Sequence, residues 1–298
     1  PSRFYASYPS FSPQPRSGRP TASLLRAWSD EITFVVLWVA ITVAFAGGSG
    51  EGGAEIPEPN YHRSGEVLGE MTLLVENHSA VVSKFVIGRS VEGREIFAWR
   101  MSDPSAPVVG KMLVFGNIHA MEWVPTEVAL AFAQDFAVSP IPGVELIVVP
   151  SLNVDGRLRV ENDLNNGKNV YRRGNANSVD LNRDFSVNRE SPATWKAIIP
   201  RRYAVSPAAL SQPESQAIDL LASTEQFDAA VSLHGFGGFF YYPWAGLWAR
   251  TPDHDELHRL GLVMRDSMEK NPYKPMQLAR WGFYFRGLGM EVDHLYGR

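Results

Sequence analysis

The residues best suited to chemistry are a histidine and a glutamate that stand three positions apart. His119 and Glu122 form an HxxE pattern, and side chains at this spacing lie on one side of a turn or first helical turn. Two histidines and one glutamate make a catalytic zinc site with a fourth position open for water. The pair supplies two of these three ligands, although HxxE alone is also common on solvated helix faces.

The candidate third ligand is His234, in the segment Val231-Ser232-Leu233-His234-Gly235. A histidine at a strand end more often makes an ordinary hydrogen bond. The glycines at 235, 237 and 238 nevertheless allow the backbone to approach other groups closely. The remaining histidines stand among polar or linker residues, and we assign them to the surface: His62, His78, His254, His258 and His294.

The spacing of apolar residues indicates which elements position these side chains. It predicts strands at 81–87, 95–101, 111–117, 145–150 and 229–233, and helices at 125–138, 213–224 and 255–268. We therefore predict an α/β fold with a mixed, mostly parallel central sheet and helices on both faces. His119, Glu122, Asn153 and His234 all follow predicted strands, and sites in open α/β sheets lie at the carboxyl ends of strands.

Composition restricts the function classes. The 298 residues are 45% hydrophobic and 20% charged, enough for one large domain with its own core. The net charge of -4 gives no basic field for nucleic acid, so we expect a small or peptidic partner. The chain contains no cysteine, which excludes thiol catalysis, cysteine metal sites and disulfides.

The first 60 residues differ in composition from the rest. Residues 1–31 are predicted to be a disordered or non-native leader, 32–46 a signal peptide cleaved after Ala46, and 47–60 a linker. A membrane anchor is the alternative for 32–46, but 15 residues are short for a span. A buried core helix is a further alternative, although a glycine-rich linker follows. We expect a secreted monomer without stable membrane insertion, whose domain occupies 61–298.

Four segments in order carry a family resemblance: the HxxE pair, Asn153-Val154-Asp155-Gly156, Asp180-Leu181-Asn182-Arg183, and the segment of His234. From about Tyr61 to Arg298 the sequence resembles the zinc metallocarboxypeptidases, which include pancreatic carboxypeptidases A and B and the regulatory carboxypeptidases. The resemblance implies one zinc ion held by His119, Glu122 and His234. It also implies that peptide or protein C-termini are the partners.

The same resemblance implies roles for several polar residues. Asn182 and Arg183 match the pair that grips the terminal carboxylate of the substrate, a task suited to a bidentate guanidinium and an amide. Arg172 or Arg173 matches the arginine that polarises the scissile carbonyl. Counting back from Asn182 favours Arg172, and Arg173 stays open.

Near the end of the sequence, residues 282–297 resemble the family's segment with a mobile tyrosine followed by Asp-x-x-Tyr. Tyr284 is the candidate for that tyrosine, and a plain core aromatic is the alternative. Val292 lies where family members set side-chain preference. Its aliphatic side chain favours an apolar terminal residue, whereas the adjacent Glu291 favours a basic one, so specificity stays open.

The resemblance also implies a general-base glutamate on a strand beyond Asp293-His294-Leu295-Tyr296. The sequence stops at Arg298, so we expect a C-terminally truncated fragment that folds poorly and has negligible activity by itself. The predicted function is zinc-dependent hydrolysis of the C-terminal peptide bond. The alternatives are a non-catalytic peptide-binding module that lacks the glutamate, and a zinc amidohydrolase acting on N-acyl amino acids.

Overall fold

The computed structural model describes residues 61–190, 205–235, 237–281 and 286–298. The leader at 1–31, the apolar segment at 32–46, the linker at 47–60 and Tyr284 lie outside the described residues, so these predictions stay predictions. Among the described helices, none is both long and apolar enough to cross a membrane.

Five strands form the central sheet close to their predicted positions: β1 Val82–Arg89, β2 Glu95–Ser102, β3 Gly110–Phe115, β4 Val144–Val149 and β5 Ala229–Ser232. Their order is β1-β2-β4-β3-β5. β2 pairs antiparallel with β1 and β4, whereas β3 pairs parallel with β4 and β5. The prediction of a mixed sheet is therefore confirmed.

Helices cover both faces of this sheet, as predicted. They are α1 Ser64–Asn77, α2 Val124–Val138, α3 Val154–Asn165 and α4 Pro213–Glu225. All six residues of β4 are buried, which is typical of a strand covered on both faces. Leu146 belongs to the same core cluster as Met71 of α1 and Phe136 of α2. Its neighbour Ile147 points to the opposite face and shares a second cluster with Ile218 of α4.

A smaller unit follows the central sheet in sequence. Strands β6 Phe239–Tyr242 and β7 Lys274–Gln277 pair in parallel, and helix α5 His254–Asp266 packs against both. The chain then forms helix α6 Glu291–Gly297. The apolar pattern predicted α2, α4 and α5, but it did not predict α1, α3 or the short elements β6, β7 and α6.

The surface assignment of His294 is wrong. His294 is completely buried in α6, and its Nε2 lies 2.7 Å from Oδ1 of Asp219 in α4. Its Nδ1 lies 3.1 Å from the hydroxyl of Ser186. The polar sequence around His294 suggested solvent, but in the fold Asp219 of α4 and Ser186 of a separate segment provide hydrogen-bonding partners for the ring.

Asp155 holds the turn between β1 and β2 against α3. Its fully buried carboxylate accepts hydrogen bonds from the Ser90 hydroxyl at 2.8 Å, the Glu92 amide at 2.8 Å and the Arg94 guanidinium at 2.6 Å. Removing the carboxylate would leave the buried Ser90 hydroxyl without this acceptor, and unmade buried hydrogen bonds are costly. The aspartate of the Asn153-to-Gly156 segment therefore has a structural role.

We predict that Asp155→Ala lowers the free energy of unfolding by about 2 kcal/mol or more, because several hydrogen bonds to one buried acceptor are lost together. Urea denaturation measures this change. The control is Glu95→Gln, which removes a solvent-exposed ion pair with Arg89 and should cost less than about 1 kcal/mol. Equal losses for the two variants would contradict the role given to Asp155.

Candidate metal centre and active site

Strands β3 and β5 bring the three predicted ligands to one edge of the sheet. Phe115 at the end of β3 pairs with Ser232 at the end of β5, so the segments that follow leave the sheet side by side. One ligand atom from each of His119, Glu122 and His234 lies within 4.8 Å of the other two. The described residues thus contain a group that could hold one metal ion.

The two imidazole rings face the Glu122 carboxylate in the same way. Nδ1 of His119 lies 2.8 Å from Oε1 of Glu122, and Nδ1 of His234 lies 3.2 Å from Oε2. The ring centroids are 4.9 Å apart. On the outer side, Nε2 of His119 lies 3.2 Å from Oδ1 of Asp180, an arrangement that holds the proton on Nε2 and leaves Nδ1 for a metal. The donor set fits zinc, which accepts histidine nitrogen and carboxylate oxygen.

Electrostatics keep the carboxylates of this site ionised. Burial opposes ionisation of Glu122, but hydrogen bonds to His119 and His234 outweigh it and hold its pKa well below the usual range. For Asp180, burial is likewise outweighed by the hydrogen bond to His119 and the charge of Arg183, so its pKa is also lowered. Both groups are therefore anionic and available to a cation or its ligands.

Protonation of His234 responds to two carboxylates. Desolvation opposes its protonation, yet hydrogen bonds to Glu122 and Glu291 outweigh desolvation and raise its pKa to about 10. In the metal-free protein the imidazolium thus joins two anions. A metal ion at Nδ1 would replace one proton, because histidine binds metals in its neutral form.

Two asparagines shape the turn that carries His119 and Glu122. Asn117 adopts a positive φ of 54°, and its side-chain amide donates to the carbonyls of His119 at 3.0 Å and Glu122 at 2.9 Å. Asn153 donates from its side chain to the Ile118 carbonyl at 3.2 Å and also accepts from the Gly156 amide at the start of α3. These contacts position the HxxE pair in a turn that precedes α2.

Gly235 permits the close approach of the two ligand segments. A Cβ at this position would lie 2.8 Å from Cγ of Glu122, which is shorter than a van der Waals contact. The Gly235 amide also donates to Oε2 of Glu122 at 3.0 Å. The absence of a side chain here therefore allows the backbone after His234 to hold the Glu122 carboxylate.

The structure separates the two candidate arginines. Nε of Arg173 lies 2.7 Å from Oδ2 of Asp180, and Nη1 lies 3.8 Å from Oε1 of Glu122. The Arg173 side chain is 11% exposed, whereas that of Arg172 is 37% exposed and pairs with Asp163 of α3. Arg173, rather than the favoured Arg172, thus faces the candidate metal centre.

Asn182 and Arg183 lie in a short 3-10 turn next to the centre. Nδ2 of Asn182 lies 3.5 Å from Nε2 of His234, and its Oδ1 accepts from the Glu291 amide at 3.2 Å. Arg183 is buried, and its Nη1 donates to the Asn182 carbonyl. Asp180 accepts from the Asn182 amide at 3.0 Å, so one carboxylate contacts both the His119 ring and this turn.

Of the two remaining predicted site residues, Val292 and Tyr284, the structure describes only Val292. Val292 is partly buried in α6 and packs with Ala245 and Leu278, whereas Tyr284 lies outside the described residues. Sequence reasoning gave no role to Asp180 and considered Glu291 for side-chain preference alone. No spacing signal links either residue to a histidine, because both contacts join segments far apart in sequence.

A mixed α/β sheet with a His-Glu-His group at the carboxyl ends of its strands defines a candidate metallohydrolase. The profile of the zinc carboxypeptidase family matches residues 67–289. Because this match covers most of the chain, the chain belongs to the zinc carboxypeptidase family. The family resemblance predicted from the motifs is thus confirmed.

Individual relatives are distant. Carboxypeptidase O of Bos taurus is 23% identical over 259 residues, which cover 79% of this chain and 64% of the relative. Carboxypeptidase B2 of Homo sapiens is 23% identical over 251 residues, which cover 79% of this chain and 57% of the relative. The chain thus spans less than two thirds of the length of these relatives.

Two solved structures share the fold. Bovine thrombin-activatable fibrinolysis inhibitor, in complex with tick carboxypeptidase inhibitor, matches with a TM-score of 0.67 at 21% identity, over 80% of this chain and 82% of that chain. Carboxypeptidase A from Helicoverpa armigera matches with a TM-score of 0.66 at 22% identity, over 90% and 69% of the two chains. At these identities the similarity supports the α/β fold alone.

We predict that Gly235→Ala weakens zinc binding about tenfold, the scale of loss when the support of a metal ligand is disturbed. The added methyl group would displace the Glu122 side chain. Competition with a chromogenic chelator measures the affinity. The control is Gly69→Ala in α1, where a Cβ would meet no atom within 4 Å. Equal zinc affinities for the two variants would contradict the prediction.

Proposed function

We propose that this chain provides the metal centre and substrate-binding residues of a zinc-dependent exopeptidase that removes single residues from peptide C-termini. One observation carries the proposal: the His119, Glu122 and His234 group lies beside Asn182 of the carboxylate-binding pair. An ion that can polarise a carbonyl and donors that can hold a terminal carboxylate would therefore act on the same residue of the substrate.

The formal charges of the site favour an anionic ligand once a metal is bound. Glu122, Asp180 and Glu291 carry three negative charges, and Arg173 and Arg183 carry two positive charges. With His234 neutral, as a metal ligand must be, a divalent cation converts this excess of one negative charge into an excess of one positive charge. A substrate with one free carboxylate would then neutralise the site.

The proposed roles follow from position. When bound, zinc acts as a Lewis acid toward a carbonyl and lowers the pKa of water. Arg173, held by Asp180, supplies a fixed cation for the negative charge that develops on the carbonyl oxygen. Asn182 and Arg183 bind the terminal carboxylate. Because this carboxylate has a fixed place, the bond next to the last residue lies at the metal centre and cleavage is exo rather than endo.

The test compares three substrates with protein expressed from the complete gene. We expect cleavage of an N-blocked dipeptide with a free carboxylate, loss of cleavage after chelation, and recovery with zinc. The same dipeptide with an amidated C-terminus should react at least about a hundredfold more slowly, because a site built for a polar group rejects analogues that lack it. Preferential cleavage of an N-acyl amino acid would instead indicate the amidohydrolase, and binding without hydrolysis would indicate the binding module.

Secretion is a further part of the proposal. The apolar composition of residues 32–46, followed by a glycine-rich segment, supports it. Expression in a secreting host and N-terminal sequencing of the exported protein test the predicted cleavage after Ala46. Retention of the protein inside the cell would contradict secretion without affecting the proposed activity.

We predict that Arg173→Ala lowers kcat about a hundredfold to a thousandfold, as the loss of a single oxyanion-stabilising group does. Arg172→Ala should leave kcat nearly unchanged, because its partly exposed guanidinium pairs with Asp163 of α3. Steady-state kinetics of both variants on the blocked dipeptide measure the difference. A larger effect at Arg172 would reverse the assignment.

A further inference from the structure

Glu291 makes a contact that the proposed mechanism does not use. Its side chain, at the start of α6, is 3% exposed, and Oε1 lies 2.8 Å from Nε2 of His234. Among the described residues, its second oxygen has no hydrogen-bond partner. We propose that Glu291 is a positioning residue, whose carboxylate orients the His234 ring and strengthens its binding of the metal ion.

The geometry of the other histidine supports this role. His119 turns Nδ1 toward Glu122 and Nε2 toward the Asp180 carboxylate. His234 does the same, with Nδ1 toward Glu122 and Nε2 toward Glu291. An outer carboxylate keeps the proton on Nε2 and makes the opposite nitrogen a better metal ligand. Each histidine of the group thus has its own anionic partner.

Backbone contacts hold Glu291 in place independently of His234. Its amide donates to Oδ1 of Asn182 at 3.2 Å. Just before it, the carbonyl of Gly289 accepts from the Phe185 amide at 3.0 Å. The start of α6 is therefore attached to the turn that carries the carboxylate-binding pair. A carboxylate fixed in this way can impose one orientation on the His234 ring.

The burial of the Glu291 carboxylate also supports its positioning role. A buried carboxylate is costly unless a donor or a cation compensates it, and His234 supplies the one hydrogen bond that the Glu291 carboxylate makes within the described residues. A divalent cation that replaced the Nδ1 proton would leave the Nε2 proton in place, with Glu291 as its buried acceptor. Glu291 would thus keep the ring in the orientation that leaves Nδ1 for the metal.

The test is the zinc affinity of Glu291→Gln, measured by chelator competition on protein expressed from the complete gene. Glutamine keeps the size of the side chain but removes its charge, and we expect a loss of about tenfold to a hundredfold. The matched control is Glu145→Gln. Glu145 is also a buried glutamate, but it lies at the start of β4 and pairs with Arg100, at the opposite end of the sheet. Its variant should bind zinc as tightly as the wild type.

A second measurement separates positioning from stability. The melting temperature of the metal-free protein should be nearly equal for Glu291→Gln and Glu145→Gln, while the visible spectrum of cobalt-loaded protein should change in Glu291→Gln alone. Zinc affinity within about twofold of wild type, or an affinity loss that follows loss of the folded metal-free state, would overturn the inference.

The inference rests on the proposed zinc centre. A wild-type chain that binds no zinc would overturn both, whereas normal zinc binding in the variant would leave the proposed function intact.

Discussion

The parallel pairing of β3 with β5 determines where the candidate metal ligands can meet. Because the two strands end opposite each other at Phe115 and Ser232, the segments that carry His119 and His234 leave the sheet side by side. Glu122 then contacts both imidazole rings. A shift in this pairing would separate ligands that are far apart in sequence, and neither helix propensity nor local turn chemistry could restore the group.

Asp180 connects the parts of the site. This buried carboxylate contacts the outer nitrogen of His119, the guanidinium of Arg173 and the amide of Asn182. A candidate metal ligand, the candidate oxyanion stabiliser and the turn of the candidate carboxylate-binding pair therefore share one anion. Burial strengthens each of these interactions, since charges interact more strongly away from water. The pKa of Asp180 is lowered because the hydrogen bond to His119 and the charges of Arg183 and Arg173 outweigh its desolvation.

Much of the fold could be predicted because its signals are local. The run of apolar residues in β4 indicates a strand buried on both faces, and all six of its residues are buried. Contacts between distant segments could not be predicted in the same way. His294 stands among polar neighbours in sequence, yet Asp219 of α4 and Ser186 enclose its ring. Burial of a polar side chain depends on which helix packs over it, and no local pattern encodes that choice.

The sequence by itself determined the family and the attachment of the HxxE pair and His234 to strand ends, since motif order and apolar periodicity are properties of the chain. Only the tertiary structure distinguished the surroundings of Arg172 and Arg173, which are adjacent in sequence but differ in exposure and partners. Only the tertiary structure brought Glu291 to His234, across 57 residues of sequence. The physical reason is the same in both cases. Charged side chains interact according to their distance in space, and this distance depends on how the chain packs.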